Sequence, residues 1–154
     1  MTSKRHFESV NDIIAFAIRR EEDAARGYAE MAEIATTPGI RNLLLELKGE
    51  EENHKKILEN ITAEEIGKMG PAFVPDLMIS DYLVEETLSS DMTFQELLIF
   101  AARKEQKAAE LYERLVGMAP GARERKVFEF LAGQEKTHKL KLETEYEKQV
   151  MWEN

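Results

Sequence analysis

Two short segments of the chain carry the same pair of side chains, Glu51-Glu-Asn-His54 and Glu135-Lys-Thr-His138. On a helix, residues three apart share a face, so each pair can converge on one ion. Two more glutamates, Glu21 and Glu105, sit inside otherwise apolar helical stripes. The stripe around the first runs Ile14, Ala17, Glu21, Ala24, Tyr28, Met31, Ala35, and its counterpart runs Leu98, Ala101, Glu105, Ala108, Tyr112, Leu115, Ala119. The Glu-x-x-His pairs lie in the stripes Leu44, Leu47, Glu51, His54, Leu58, Ile61 and Phe128, Leu131, Glu135, His138, Leu142.

Four carboxylates and two imidazoles are thereby expected at one depth of an apolar interior. Burying an ionised carboxylate without a partner costs several kcal/mol even after relaxation, and four together repel one another. Two divalent cations would cancel four carboxylates, provided both imidazoles are neutral, as ligation requires. Mixed carboxylate and imidazole donors suit iron or manganese, with zinc able to intrude, whereas calcium favours more oxygens and no imidazole. The expected occupant is a pair of iron ions. Arg20 and Lys104 flank the stripe glutamates and are expected to snorkel outward. Glu50 and Gln134, which precede the paired glutamates, are expected on the surface.

The elements that must position these groups follow from the apolar spacing. Steps of three and four residues mark four helices, at about 8–35, 39–62, 93–118 and 122–149. Thr36 to Gly39 and Ala119 to Gly121 are short breaks, so each helix pair is an antiparallel hairpin. The third helix starts at Asp91 or Thr93 as N-cap, with Gln95 or Glu96 in its first turn. Residues 63–92, broken by Gly67, Gly70, Pro71 and Pro75, form a long connector with a short helix over Asp76 to Leu88. Such a crossover joins two stacked hairpins.

The hairpins are copies of one another. At an offset of 84, positions 16 to 59 align with 100 to 143 without a gap, giving 16 identities in 44 positions, among them all three pairs of candidate ligands, Glu21 with Glu105, Glu51 with Glu135 and His54 with His138. One isolated Glu-x-x-His is a weak signal; two at one repeat offset, each facing a stripe glutamate, are specific.

Composition sets the limits. The 154 residues, 43% apolar and 33% charged, with only 8 Gly and 4 Pro, fit one all-α domain. A net charge of -9 disfavours nucleic acid and anionic membranes. No cysteine excludes thiolate zinc sites and iron-sulfur clusters. With no signal-like or membrane-spanning apolar run, the expected location is cytoplasmic. Tyr28 and Tyr112 follow their stripe glutamates by two turns. They read either as core or as hydroxyls that hydrogen-bond a carboxylate from the other hairpin or relay electrons. His6 reads as solvent-exposed, and Trp152 as packed against a neighbour at a dimer contact.

These residues resemble the ferritin-like superfamily, and most of all the rubrerythrin diiron domain, whose first and third helices carry E-x-x-A-x-x-x-Y. Here that pattern reads Glu21-Glu-Asp-Ala24-Ala-Arg-Gly-Tyr28 and Glu105-Gln-Lys-Ala108-Ala-Glu-Leu-Tyr112. The family's second and fourth helices carry E-x-x-H. The resemblance implies an antiparallel four-helix bundle and makes Glu21, Glu51, His54, Glu105, Glu135 and His138 iron ligands, with Glu51 and Glu135 bridging. It implies an oxidoreductase that reduces hydrogen peroxide or dioxygen at a dinuclear iron centre. Typical rubrerythrins add a four-cysteine rubredoxin domain, absent from this sequence, so electrons are expected from an external, rubredoxin-like donor. Many also carry a further glutamate where this chain has Ala108, which makes the expected site the symmetric six-ligand kind. A homo-oligomer, preferentially a dimer, is expected. Ferroxidase or iron-storage activity, a dimanganese catalase-like site, and a structural bundle with a vestigial site are the alternatives.

Overall fold

In the computed structural model, residues 9–61, 82, 92–119 and 121–153 are described, except for the side chains of residues 152 and 153. They form four helices: α1 (Val10–Ile34), α2 (Pro38–Glu59), α3 (Phe94–Met118) and α4 (Ala122–Glu153). The connector expected at 63–92, apart from Tyr82 and Met92, lies outside the described residues, as do its short helix, His6 and the Trp152 side chain.

Each start has a local cause. The Ser9 side chain accepts from Asp12 N at 3.1 Å, and that of Thr37 accepts from Ile40 N at 3.2 Å, with Pro38 at the first helical position. Thr93 caps α3, and Thr93 and Glu96 exchange side-chain and backbone hydrogen bonds of 3.1 Å, which selects Thr93 and Glu96 from the pairs the sequence left open. The tight first hairpin loop is braced by Arg41, whose guanidinium donates to the carbonyls of Ala32 and Ala35 at the end of α1.

α4 runs on to Glu153, past the expected end near residue 149. The apolar stripe lapses there, but neither Gly nor Pro occurs after Gly133 to stop the backbone.

Direction follows from which ends share a core. One buried cluster joins Val10, Ile13 and Ala17 of α1 to Leu111 and Leu115 of α3, and Leu58 of α2 to Phe128 and Leu131 of α4. The other joins Tyr28 and Met31 to Leu98 and Ala101, and Leu44 and Leu47 to Leu142. In both, the beginning of one helix meets the end of its neighbour, so α1 and α3 are antiparallel, as are α2 and α4. The result is the antiparallel four-helix bundle expected from the repeat. Every stripe residue named above is buried except Ile61, which is half-buried.

The two apolar clusters occupy opposite halves of the bundle, and the polar layer lies between them. Truncation in either half should therefore be severe: Leu44→Ala and Leu131→Ala, both at fully buried sites, are each expected to lower unfolding free energy by about 2–5 kcal/mol. Thr93→Ala should cost only about 1 kcal/mol. Urea unfolding followed by circular dichroism measures all three.

Candidate metal centre

All six polar stripe residues arrive in the middle layer, and none is more than 1% exposed: Glu21, Glu51, Glu105 and Glu135, with His54 and His138. They form two overlapping groups, Glu21, Glu51, His54, Glu135 and Glu51, Glu105, Glu135, His138. Within each group one ligand-type atom from every residue lies within 4.8 Å of the others.

The overlap assigns distinct positions to the carboxylates. Glu51 Oε1 lies 3.2 Å from His54 Nδ1 and 3.1 Å from His138 Nδ1, and Glu135 Oε1 lies 3.0 and 3.6 Å from the same atoms. These two carboxylates are shared. Glu21 approaches only the His54 side, at 3.5 Å, and Glu105 only the His138 side, also at 3.5 Å. The imidazole rings stack at 5.6 Å between centroids, 9° apart, and both turn Nδ1 inward.

The outward edges differ. His138 Nε2 lies 3.0 Å from Glu50 Oε2, whereas the ring of His54 meets the edge of Phe130. Glu50 was expected on the surface; it is half-buried, and its carboxylate can fix the His138 ring with Nδ1 facing the centre. The tyrosines cross between hairpins. Tyr28 donates to Glu105 Oε1 and Tyr112 donates to Glu21 Oε1, each at 2.6 Å. Burial and the adjacent carboxylates push both phenols far above their ordinary range, so they remain donors.

Arg20 corrects the sequence expectation most sharply. It does not snorkel outward; its guanidinium enters the carboxylate layer. Nη1 lies 3.0 Å from Glu21 Oε1 and 2.8 Å from Glu51 Oε2, and also pairs with Glu135 Oε2, while Nη2 lies 2.8 Å from Glu105 Oε1. Lys104, its repeat counterpart, does turn away, resting its ammonium 5.3 Å above the Phe100 ring. Sequence periodicity places Arg20 one position off the inward stripe, and only its length lets the head group reach back in.

The electrostatics follow from this packing. Burial opposes charge on His54, yet the Glu21 and Glu51 carboxylates outweigh it and push the imidazole up to about 9. His138, facing burial against Glu105 and Glu51, is pushed up to about 10. Burial drives Glu135 well upward and Glu21 upward against the pull of Arg20. For Glu51 the pull of Arg20 and both histidines overcomes burial, and its carboxyl falls well below the usual range. Arg20 and the two histidines thus supply the positive charge that faces the four glutamates.

Several inward atoms nevertheless lack hydrogen-bond geometry: Glu21 Oε2, Glu51 Oε1, Glu105 Oε2, Glu135 Oε1 and both histidine Nδ1 atoms. Aligned, buried and unsatisfied oxygen and nitrogen donors are what a pair of divalent cations would use. The residues therefore fit a dinuclear metal centre. A groove of about 650 Å³ between α1 and α3, walled by Leu97, Phe100 and Met31, reaches Glu105 and Tyr28 and gives one approach to this layer.

Residues 12–146 match the family model for rubrerythrin. The chain belongs to the rubrerythrin family. Among solved structures, a putative ferritin-like diiron-carboxylate protein from Thermotoga maritima shares 26% identity over 92% of this chain and 97% of its own, with a TM-score of 0.74. A hypothetical protein from Pyrococcus furiosus has the same fold, with a TM-score of 0.74 at 24% identity over 94% of this chain and 92% of its own. No curated protein matches the sequence. Among the described residues, no helix of this rubrerythrin-family chain is long and apolar enough to cross a membrane.

The raised histidines make the metal-free protein sensitive to alkali. An imidazole whose folded pKa exceeds its unfolded value stabilises fully below about pH 6.5 and loses that contribution as pH rises through the folded value. Thermal melts in chelator should show the melting temperature falling steadily between about pH 6.5 and 10. With metal bound, the imidazoles are already neutral and this slope should flatten.

Proposed function

We propose that this rubrerythrin-family chain is a non-haem diiron oxidoreductase that reduces hydrogen peroxide, or dioxygen, with electrons from an external donor such as a rubredoxin-like protein. The observation carrying the proposal is the pair of overlapping ligand groups that share Glu51 and Glu135. Such a layer would hold two ions side by side, and an iron pair bound there would supply the two electrons that a two-electron oxidant takes up. The balance is simple: hydrogen peroxide, two electrons and two protons give two waters.

In this reading Glu21 and His54 would hold one ion and Glu105 and His138 the other, with Glu51 and Glu135 available to both. The protein's own part is positional. Tyr28 and Tyr112 hold one oxygen of Glu105 and of Glu21, leaving Oε2 of each aimed inward. Glu50 fixes the His138 ring. The groove beside Glu105 admits a small oxidant, while the apolar clusters on both sides keep bulk water out. A dimer in the cytoplasm is the proposed setting.

Anaerobic loading should give two ferrous ions per chain, and peroxide should then raise near-ultraviolet absorbance that an electron donor reverses. A loaded protein spectroscopically silent to both peroxide and dioxygen would defeat the redox assignment. Glu21→Ala and Glu105→Ala should each retain one tight ion, whereas Glu51→Ala should weaken both. Tyr28→Phe should lower metal affinity by about 10-fold or more, as loss of a ligand-orienting partner does. Equilibrium dialysis with metal analysis reads all four variants.

A further inference from the structure

The guanidinium of Arg20 lies where four buried carboxylates converge, and it pairs with all of them. Its side chain is only 9% exposed. Arginine suits this position because its planar fork serves several carboxylate oxygens at once and stays charged when desolvated. The contacts are with Glu21 Oε1, Glu51 Oε2, Glu105 Oε1 and Glu135 Oε2, so the guanidinium draws on all four proposed metal ligands of the acidic type.

The inward oxygens Glu51 Oε1 and Glu135 Oε1 face the histidines, but a carboxylate that serves two ions with both of its oxygens would also need Oε2, which on Glu51 and Glu135 the guanidinium holds. A guanidinium beside two divalent cations is also strongly repelled in a medium of low dielectric constant. Resting on the dinuclear metal reading above, we infer that Arg20 is a built-in counter-cation: it holds the ligand cage together in the metal-free protein and is displaced toward solvent when metal enters.

The arrangement has two consequences. Without a cation, the four carboxylates would spread apart or admit water, and the cage would have to reassemble around each incoming ion. With Arg20 present the ligands are already gathered, at the expense of affinity, because metal must compete with the guanidinium. The residue is a positioning group that acts through the ligands. Only one hairpin supplies it, since the equivalent Lys104 is engaged over Phe100. The exchange thus breaks the twofold pattern of the repeat.

The test uses zinc(II), which binds the same donors without redox chemistry. In wild-type protein, phenylglyoxal labelling mapped by mass spectrometry should find Arg20 protected in chelator and reactive after two equivalents of zinc. In Arg20→Gln, the metal-free melting temperature should fall, the zinc-loaded one should change little, and zinc affinity by chelator competition should tighten at least tenfold. Arg20→Lys should fall between. If the glutamine variant folds only with zinc, that too supports the inference.

Four results are decisive in the other direction or separate the two claims. Wild-type protein that takes up zinc while Arg20 stays protected overturns the inference and leaves the metal centre standing. An Arg20→Gln protein with unchanged metal-free stability and unchanged or weaker zinc affinity overturns it as well. Wild-type protein that takes up neither zinc nor ferrous ion defeats the metal reading itself. If the glutamine variant fails to fold under any condition, the wild-type labelling alone decides.

Discussion

Four carboxylates without access to water, in the middle of a helical bundle, are the constraint to which everything else answers. A lone buried charge of this kind would protonate or unfold its surroundings. The fold meets the requirement in layers. Apolar clusters at both ends supply the burial that stabilises the bundle, and in the polar layer between them the Arg20 guanidinium pairs with all four glutamates. Alanines at 17 and 24 flank Glu21, and alanines at 101 and 108 flank Glu105, on the same buried faces. Small neighbours one turn away leave space for whatever neutralises the glutamates, where leucine would fill it.

Duplication explains why the layer exists at all. A hairpin contributes one stripe glutamate and one Glu-x-x-His, which is half of the six-residue cluster, and two copies packed antiparallel complete it. Yet the halves have diverged at positions that touch the site. Arg20 enters the cage where Lys104 leaves it, and Glu50 supports one histidine where the other meets Phe130. The two groups share Glu51 and Glu135 but not their surroundings, so they are chemically unequal despite identical residue types.

Much of this was legible because periodicity reports where each Cα faces. The inward stripes, the short hairpin loops and the coincidence of six polar groups at one level all follow from steps of three and four residues. What periodicity cannot report is where a long side chain ends. Arg20 and Glu50 both sit one position off the seam, and both reach back into it by way of their methylenes. The sequence did hold a signal for Arg20: four buried acids with no cation on any stripe demand one nearby, and an arginine adjacent to a stripe glutamate can supply it. The end of α4 was missed for a different reason. Loss of the apolar pattern was read as loss of helix, although helix persists wherever no residue opposes it.

The hydrogen bonds of Tyr28 and Tyr112 give the layer a mechanical role beyond holding charge. α1 and α3 belong to different hairpins, and the two bonds run in opposite senses between them, each phenol of one hairpin gripping the outer carboxylate of the other. Buried bonds to an ionised acceptor at 2.6 Å are among the stronger ones a protein forms. They pin Glu21 and Glu105, whereas Glu51 and Glu135, the glutamates common to both groups, come from α2 and α4 and pair with Arg20. Docking of the hairpins and assembly of the ligand set are therefore one event: the reciprocal clasp cannot close without placing both outer carboxylates, and once it has closed, the repulsion among the acids must be answered from within the layer.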